Sequence, residues 1–268
     1  MTTILDRIVA TKWEEVTAAM VDRPPPEMRK AAEQTAPPRD FLAAVTAPAA
    51  NGVQLIAEIK KASPSAGVLV ADFDAATIAR TYHRHGAAAI SVLTDQTYFQ
   101  GRLGQIDEVK RAVPRPVLRK DFIVHEYQVY ESRAAGADAI LLIVEVLESR
   151  GVAKLLPIAR HLGLAVLVEI HTPENLSSLM ETTGPPSAAG YILGINNRDL
   201  SSQRTDRSSA ARLAAGLPAG TRFVAESGIA TRQDVLEVQA AGACAILVGE
   251  SLLRAKDIGG QIDRLLGR

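Results

Sequence analysis

The sequence predicts a (β/α)8 barrel preceded by a helical extension. Short apolar runs recur eight times between residues 53 and 249, and most neighbours are separated by enough chain for a helix. Such alternation implies βα units and a parallel sheet. A small internal repeat points the same way: GAAAI at 86, GADAI at 136 and GACAI at 242 each close a helical segment and open a strand. Glycine suits the left-handed position that ends a helix, and the alanines let helix and strand approach closely. No GxGxxG follows the first run, which disfavours a dinucleotide-binding sheet.

The extension is taken as residues 1–48. ILDRIVATKWEEVTAAM places Leu5, Ile8, Val9, Val16 and Met20 near helical spacing, so an amphipathic helix is expected, with Trp13 packing onto the main domain. RPPPE (23–27) and APPR (36–39) then punctuate the chain. The barrel is taken as 49–268, with strands expected at VQLIAEI (53–59), AAAISVL (87–93), PVLRK (116–120) and DAILLIV (138–144). They continue at AVLVEI (165–170), YILGI (191–195), RFVAES (222–227) and CAILVG (244–249). Stretches such as DAATIARTYHRHG and HEYQVYESRAAG supply the helices.

Charge and composition narrow the partners. Acidic and basic residues balance at 30 each, so no basic excess exists to hold the phosphates of a nucleic acid. No apolar run approaches the roughly 18–20 residues of a membrane span, and the N-terminus carries charges where a signal peptide needs an apolar stretch. A cytoplasmic protein is expected, a monomer or at most a weak homodimer. The single cysteine, Cys244, sits in ACAILVG, where a small buried residue is the expected role.

In a barrel of this kind, catalytic groups gather at the C-terminal ends of the strands. The chain collects its unusual residues there. Glu58 and Lys60 lie two apart on the first strand and leave the same face with Ile56, while Ala57 and Ile59 face the helices. Lys120 ends the third strand in LRKDF, Glu169 the fifth in VLVEIH, and Asn196 and Arg198 the sixth in GINNRDL. Charges brought together at one mouth tune one another's proton affinity. AESGI (225–229) and ILVGESL (246–252) each place glycine and a small polar residue just past a strand. Loops after the last two strands commonly build a phosphate site from backbone N–H groups. Ser227, Gly228, Gly249 and Glu250 are its candidates, although the Glu250 carboxylate would repel phosphate and only its N–H could help. Ser63 could add a hydroxyl from across the mouth. His125, His161 and His171 are scattered and read as solvated or core histidines, so no metal site is expected. No GxSxG elbow is present.

IAEIKKASPSAG, TYFQG, VLRKDFIV, ADAILLIV, GINNRDL, AESGI and LVGESL, in this order, closely resemble the indole-3-glycerol phosphate synthase family of tryptophan biosynthesis. The resemblance covers essentially the whole chain. It implies ring closure, decarboxylation and dehydration of 1-(2-carboxyphenylamino)-1-deoxyribulose 5-phosphate, with no cofactor or metal. It also implies that Lys120 is the general acid in ring closure and Glu169 the general base for later proton removal and dehydration. Glu58 matches a third catalytic carboxylate, and Lys60 a charge partner near the substrate carboxylate. An ammonium whose pKa is lowered by burial would suit the acid role. Phe122 and Leu141 match apolar walls of the anthranilate pocket, and Phe99 of TYFQG joins the substrate contacts. Asn196 and Arg198 match polar contacts, and Ser63, Ser227, Gly228, Gly249 and Glu250 the phosphate cradle. Two departures stand out: Glu145, where a smaller or basic residue is expected, and SSQRTDRSS, which is more polar than the pattern. Some members carry a second, fused barrel; none is expected here. Two other readings remain at this point, a Schiff-base aldolase using Lys120 and a catalytically silent phosphate-binding barrel. The silent barrel should have lost one of Glu58, Lys120 or Glu169, and all are present.

Overall fold

The computed structural model describes residues 3–198, 206 and 208–268. Eight parallel strands close into a barrel: β1 (Gln54–Ile59), β2 (Ala89–Leu93), β3 (Val117–Lys120), β4 (Ala139–Ile143), β5 (Ala165–Ile170), β6 (Ile192–Asn196), β7 (Phe223–Glu226) and β8 (Ala243–Val248). Each overlaps an expected run, with its ends within two residues of those expected. Sequential strands are neighbours, and β8 pairs back onto β1 with Gln54 opposite Ala245 and Ala57 opposite Val248. Closure leaves no unpaired edge in the barrel sheet.

The alternation of side chains sorts the core into two shells. Ile56, Leu118, Leu141, Leu167, Val224 and Leu247 fill the barrel. Ala57, Ile59, Ile90, Ile140, Val168 and Ile246 face the surrounding helices, as expected for Ile56, Ala57 and Ile59. The three repeat glycines, Gly86, Gly136 and Gly242, have φ of 80°, 86° and 97°, the left-handed helix ends that the repeat required.

Three helices precede β1. Helix α1 (Ile4–Asp22) starts at a capping box between Thr3 and Asp6. Helix α2 (Pro25–Gln34) begins with proline, whose fixed φ suits a first turn. Helix α3 (Phe41–Thr46), N-capped by Asp40, sends Phe41 and Val45 into the inner core. At the opposite end α1 meets the strand mouths. Its buried face comprises Ile8, Lys12 and Val16. The spacing of apolar residues could not single out Lys12, which is only 3% exposed. Its ammonium lies 2.9 Å from Asp95 and 3.0 Å from Asp121, which follow β2 and β3, and 2.7 Å from Glu15. Burial works against that charge, but Asp121 and Asp95 outweigh it and hold the lysine above its ordinary pKa. Trp13 packs edge-on against the His125 ring of the barrel, 5.7 Å between centroids, and stays 46% exposed.

Cys244 is partly buried, and its thiol donates to the Phe223 carbonyl at 3.3 Å, in keeping with a packing role. No helix among the described residues is long and apolar enough to cross a membrane. The polar stretch 201–209 lies largely outside the described residues.

Candidate active site

The strand ends open into a cavity of about 630 Å³. All the strand-end residues singled out in the sequence line it, together with Ser63, Phe99 and Phe122. One side is apolar. Phe99 and Phe122 stand with ring centroids 6.2 Å apart, Leu141 and Ile143 continue the wall, and Leu5 and Ile8 of α1 complete it. The extension thus contributes directly to the cavity, which the sequence did not reveal.

The charged residues form a ring at the cavity floor. Lys60 donates to Glu58 Oε1 at 2.7 Å. The Tyr82 hydroxyl, fully buried, donates to the Glu58 carbonyl at 3.0 Å and fixes the end of β1. Across the mouth Lys120 donates to Glu169 Oε2 at 2.9 Å and lies 3.5 Å from Glu226. Asn196 donates to Glu169 Oε1 at 3.1 Å and accepts from the Arg198 N–H at 2.9 Å. Two glycines make room for this ring. A Cβ on Gly249 would lie 2.5 Å from Glu58 Oε1, and one on Gly194 would overlap Glu226 Oε1.

Glu226 escaped the sequence reading, although a carboxylate ending an apolar strand was the signal that found Glu169. AESGI was read for its turn. Glu226 is 1% exposed, and neither carboxyl oxygen has a hydrogen-bond partner among the described residues. Burial, then the charge on Glu169, push its pKa well above the usual carboxylate range. Glu169 shifts the other way. Burial would raise it, but Lys120 and His171 outweigh that and hold it ionised. The expectation of a lysine whose pKa is lowered by burial is corrected here. Burial does disfavour the Lys120 charge, yet Glu169, Glu226 and Glu58 more than offset it, and the ammonium is held above its ordinary value. His171 is also corrected. It is neither solvated nor a core residue among apolar neighbours, but lies between Glu145 (2.9 Å) and Glu169 (3.4 Å). His125 caps the helix Glu126–Ala134, and His161 is exposed. Among the described residues no group of three or more His, Cys, Asp or Glu side chains is arranged to hold a metal ion.

Opposite the apolar wall lie the turns after β7 and β8. Ser227 and Gly228 are both left-handed, with φ of 63° and 74°. A serine in that region is strained, a cost that clusters at ligand sites. Ser251, after Gly249, donates to the Ile229 carbonyl at 2.9 Å and ties the two turns together. The awkward carboxylate of Glu250 is engaged elsewhere, 3.0 Å from Arg254 Nε and 3.5 Å from Arg198. Ser63 lies in a short hairpin (Ala62–Ser63 with Gly67–Val68), where its hydroxyl accepts from the Ala66 N–H at 3.2 Å.

Comparison with known proteins agrees with this geometry. The family model for indole-3-glycerol phosphate synthase matches residues 5–265. The indole-3-glycerol phosphate synthase of Albidiferax ferrireducens is 46% identical over 260 residues, 97% of this chain and 96% of its own length. That of Roseiflexus castenholzii is 46% identical over 276 residues, spanning both chains fully. Among solved structures, 3-hexulose-6-phosphate synthase from Salmonella typhimurium superposes with a TM-score of 0.62 at 14% identity, covering 80% of this chain and 97% of its own. Orotidine 5'-phosphate decarboxylase from Pyrococcus horikoshii gives 0.58 at 13%, covering 80% and 97%. At such identities these two speak for the barrel alone. The family model that matches residues 5–265 and the full-length relatives at 46% identity lead to one conclusion: the chain belongs to the indole-3-glycerol phosphate synthase family.

Proposed function

We infer that the cavity closes the pyrrole ring of 1-(2-carboxyphenylamino)-1-deoxyribulose 5-phosphate, releasing carbon dioxide and water to give indole-3-glycerol phosphate. The observation that carries the division of roles is the Lys120–Glu169 pair at 2.9 Å, set between an apolar wall and a turn suited to phosphate. In this reading the anthranilate ring lies on Phe99, Phe122 and Leu141. The phosphate sits on the N–H groups around Ser227, Gly228, Gly249 and Glu250, with Ser63 and Arg198 beside it. Anchoring both ends of a flexible chain brings the reacting carbons together, the largest entropic gain available here.

Lys120 then protonates the carbonyl oxygen as the ring carbon attacks. Loss of carbon dioxide returns the electron pair to the ring. Having given up its proton, Lys120 no longer lends positive charge to Glu169, whose basicity rises at the moment a base is needed. The acid step therefore arms the base step. Glu169 next removes the proton from the carbon beside nitrogen, while a protonated group at the mouth returns a proton to the departing hydroxyl. Lys60, paired with Glu58, faces the substrate carboxylate, and Asn196 keeps Glu169 oriented.

The test is turnover followed by indole fluorescence in the presence of EDTA. Lys120→Ala and Glu169→Gln should each cut kcat by roughly 10²- to 10⁴-fold, the usual scale for a lost acid or base. Wild-type turnover in either variant would remove that residue from its role. Trapping with borohydride in the presence of substrate should leave Lys120 unmodified, whereas a Schiff-base aldolase would be labelled there.

A further inference from the structure

Behind Glu169, outside the cavity lining, a second pair of titratable groups is assembled that the scheme above does not use. Glu145 lies in the first turn of the helix Val144–His161, directly after β4. Its Oε1 accepts from the backbone N–H of His171 at 3.0 Å and from Asn175 Nδ2 at 2.6 Å. Those two donors fix the carboxylate, and its other oxygen then faces His171 Nδ1 at 2.9 Å. The far ring nitrogen, Nε2, faces Glu169 Oε1 at 3.4 Å. Lys120 holds the opposite oxygen of the same carboxylate.

We propose that Glu145 and His171 form a positioning pair: Glu145 holds His171 as an imidazolium, and that cation keeps Glu169 ionised after Lys120 has spent its proton. The inference rests on the reading of Glu169 as the general base. Each ring nitrogen lies within ion-pair distance of a carboxylate oxygen, although neither makes a well-aligned hydrogen bond among the described residues, so two negative charges flank the ring and favour its cationic form. The groups that face His171 from the elements around it are Glu145, Glu169 and Glu226. Burial opposes its charge, but the contact with Glu145 and the charge of Glu169 outweigh that and raise its pKa above the ordinary imidazole value.

Two variants and two readouts test the pair. Glu145→Gln keeps a carbonyl oxygen for the His171 backbone N–H and Asn175, removes the charge and turns an amide NH2 toward His171 Nδ1. The imidazole resonances are followed by NMR against pH, with that of His171 assigned by its loss in His171→Asn. In the wild type His171 should titrate above the reference value of about 6.5. In Glu145→Gln its midpoint should fall by about 1–3 units, the scale of one close opposite charge. His171→Asn removes the cation altogether, so the acid limb of kcat, set by ionisation of Glu169, should move to higher pH by about 1–3 units. An unchanged His171 midpoint in Glu145→Gln, or a wild-type acid limb in His171→Asn, overturns the proposal. So does a lower Tm in Glu145→Gln with both readouts unmoved, because that is the result for a purely structural contact. Should Glu169→Gln prove fully active, the base reading fails on its own, while the His171 titration still decides whether the pair exists.

Discussion

Replacing Lys12 with methionine keeps the bulk of the side chain and removes its charge. The ammonium neutralises two carboxylates that are themselves buried, Asp95 at 2.9 Å and Asp121 at 3.0 Å. Asp121 retains Arg119 at 3.1 Å and Thr94 at 2.5 Å, but Asp95 Oδ2 has no other cation among the described residues. Breaking a buried ion pair from one side costs about 3–5 kcal/mol, because the abandoned charge stays in the interior. For a chain of this size that is about 10 °C in Tm. The chain carries its own reporter, since its one tryptophan is Trp13, next to Lys12 on α1. Urea unfolding followed by far-UV circular dichroism and by Trp13 fluorescence separates release of α1 from loss of the barrel. In the wild type the two transitions should coincide. In Lys12→Met the fluorescence transition should come first, at a midpoint lower by the cost above. Adding Asp95→Asn, which removes the stranded charge while keeping an oxygen for the Tyr98 and Phe99 N–H groups, should recover about 1–3 kcal/mol. A loss under about 1 kcal/mol with coincident transitions would mean that Lys12 is solvated, and the reasoning would fail.

Glu226 yields a prediction about stability against pH. Its pKa is raised by folding, so between the unfolded and folded values the native state holds a proton that the unfolded state has lost. Stability contributed at low pH therefore falls as pH rises through that window. Glu226→Gln removes this slope and should exceed the wild type at pH 9 by at least about 1 kcal/mol relative to their difference at pH 5; parallel urea midpoints across that range would contradict it. Gly194→Ala probes the room beside the same residue, because the new Cβ would push the Glu226 carboxyl from its place. It should lower kcat by about 10²-fold, the penalty of a misplacement near 1 Å, while leaving most of the stability. An unaltered kcat would show that the position of Glu226 is immaterial to turnover.

The strands were legible because each is a short apolar run bounded by helix-length chain, and the repeat glycines marked where three of them begin. Glu58, Lys120 and Glu169 were legible for the opposite reason: a charge inside such a run has no structural excuse. Lys12 and His171 were not. Each sits in a stretch whose pattern reads as an ordinary helix face or loop, and the groups that give it meaning arrive from elsewhere in the chain, Asp121 for one and Glu145 for the other. The tightness around Gly194 and Gly249 was hidden too, because a glycine in a strand or turn does not announce which neighbour claims its missing side chain. Glu226 is a different case. Its signal was present in AES, and a more familiar motif beside it took precedence.

The barrel closes where β1 meets β8, and that seam is also where Glu58 packs against Gly249. The two strands are separated by most of the chain, so their pairing carries the largest loop-closure cost in the molecule, and the expected outcome is that it forms late in folding. Until it happens, both flanks of the sheet are open and Glu58 has nothing to lean on. An unclosed intermediate can therefore hold nearly all its secondary structure and still lack an assembled mouth. Recovery of turnover during refolding should then track the final zipping of the sheet, lagging the recovery of circular dichroism.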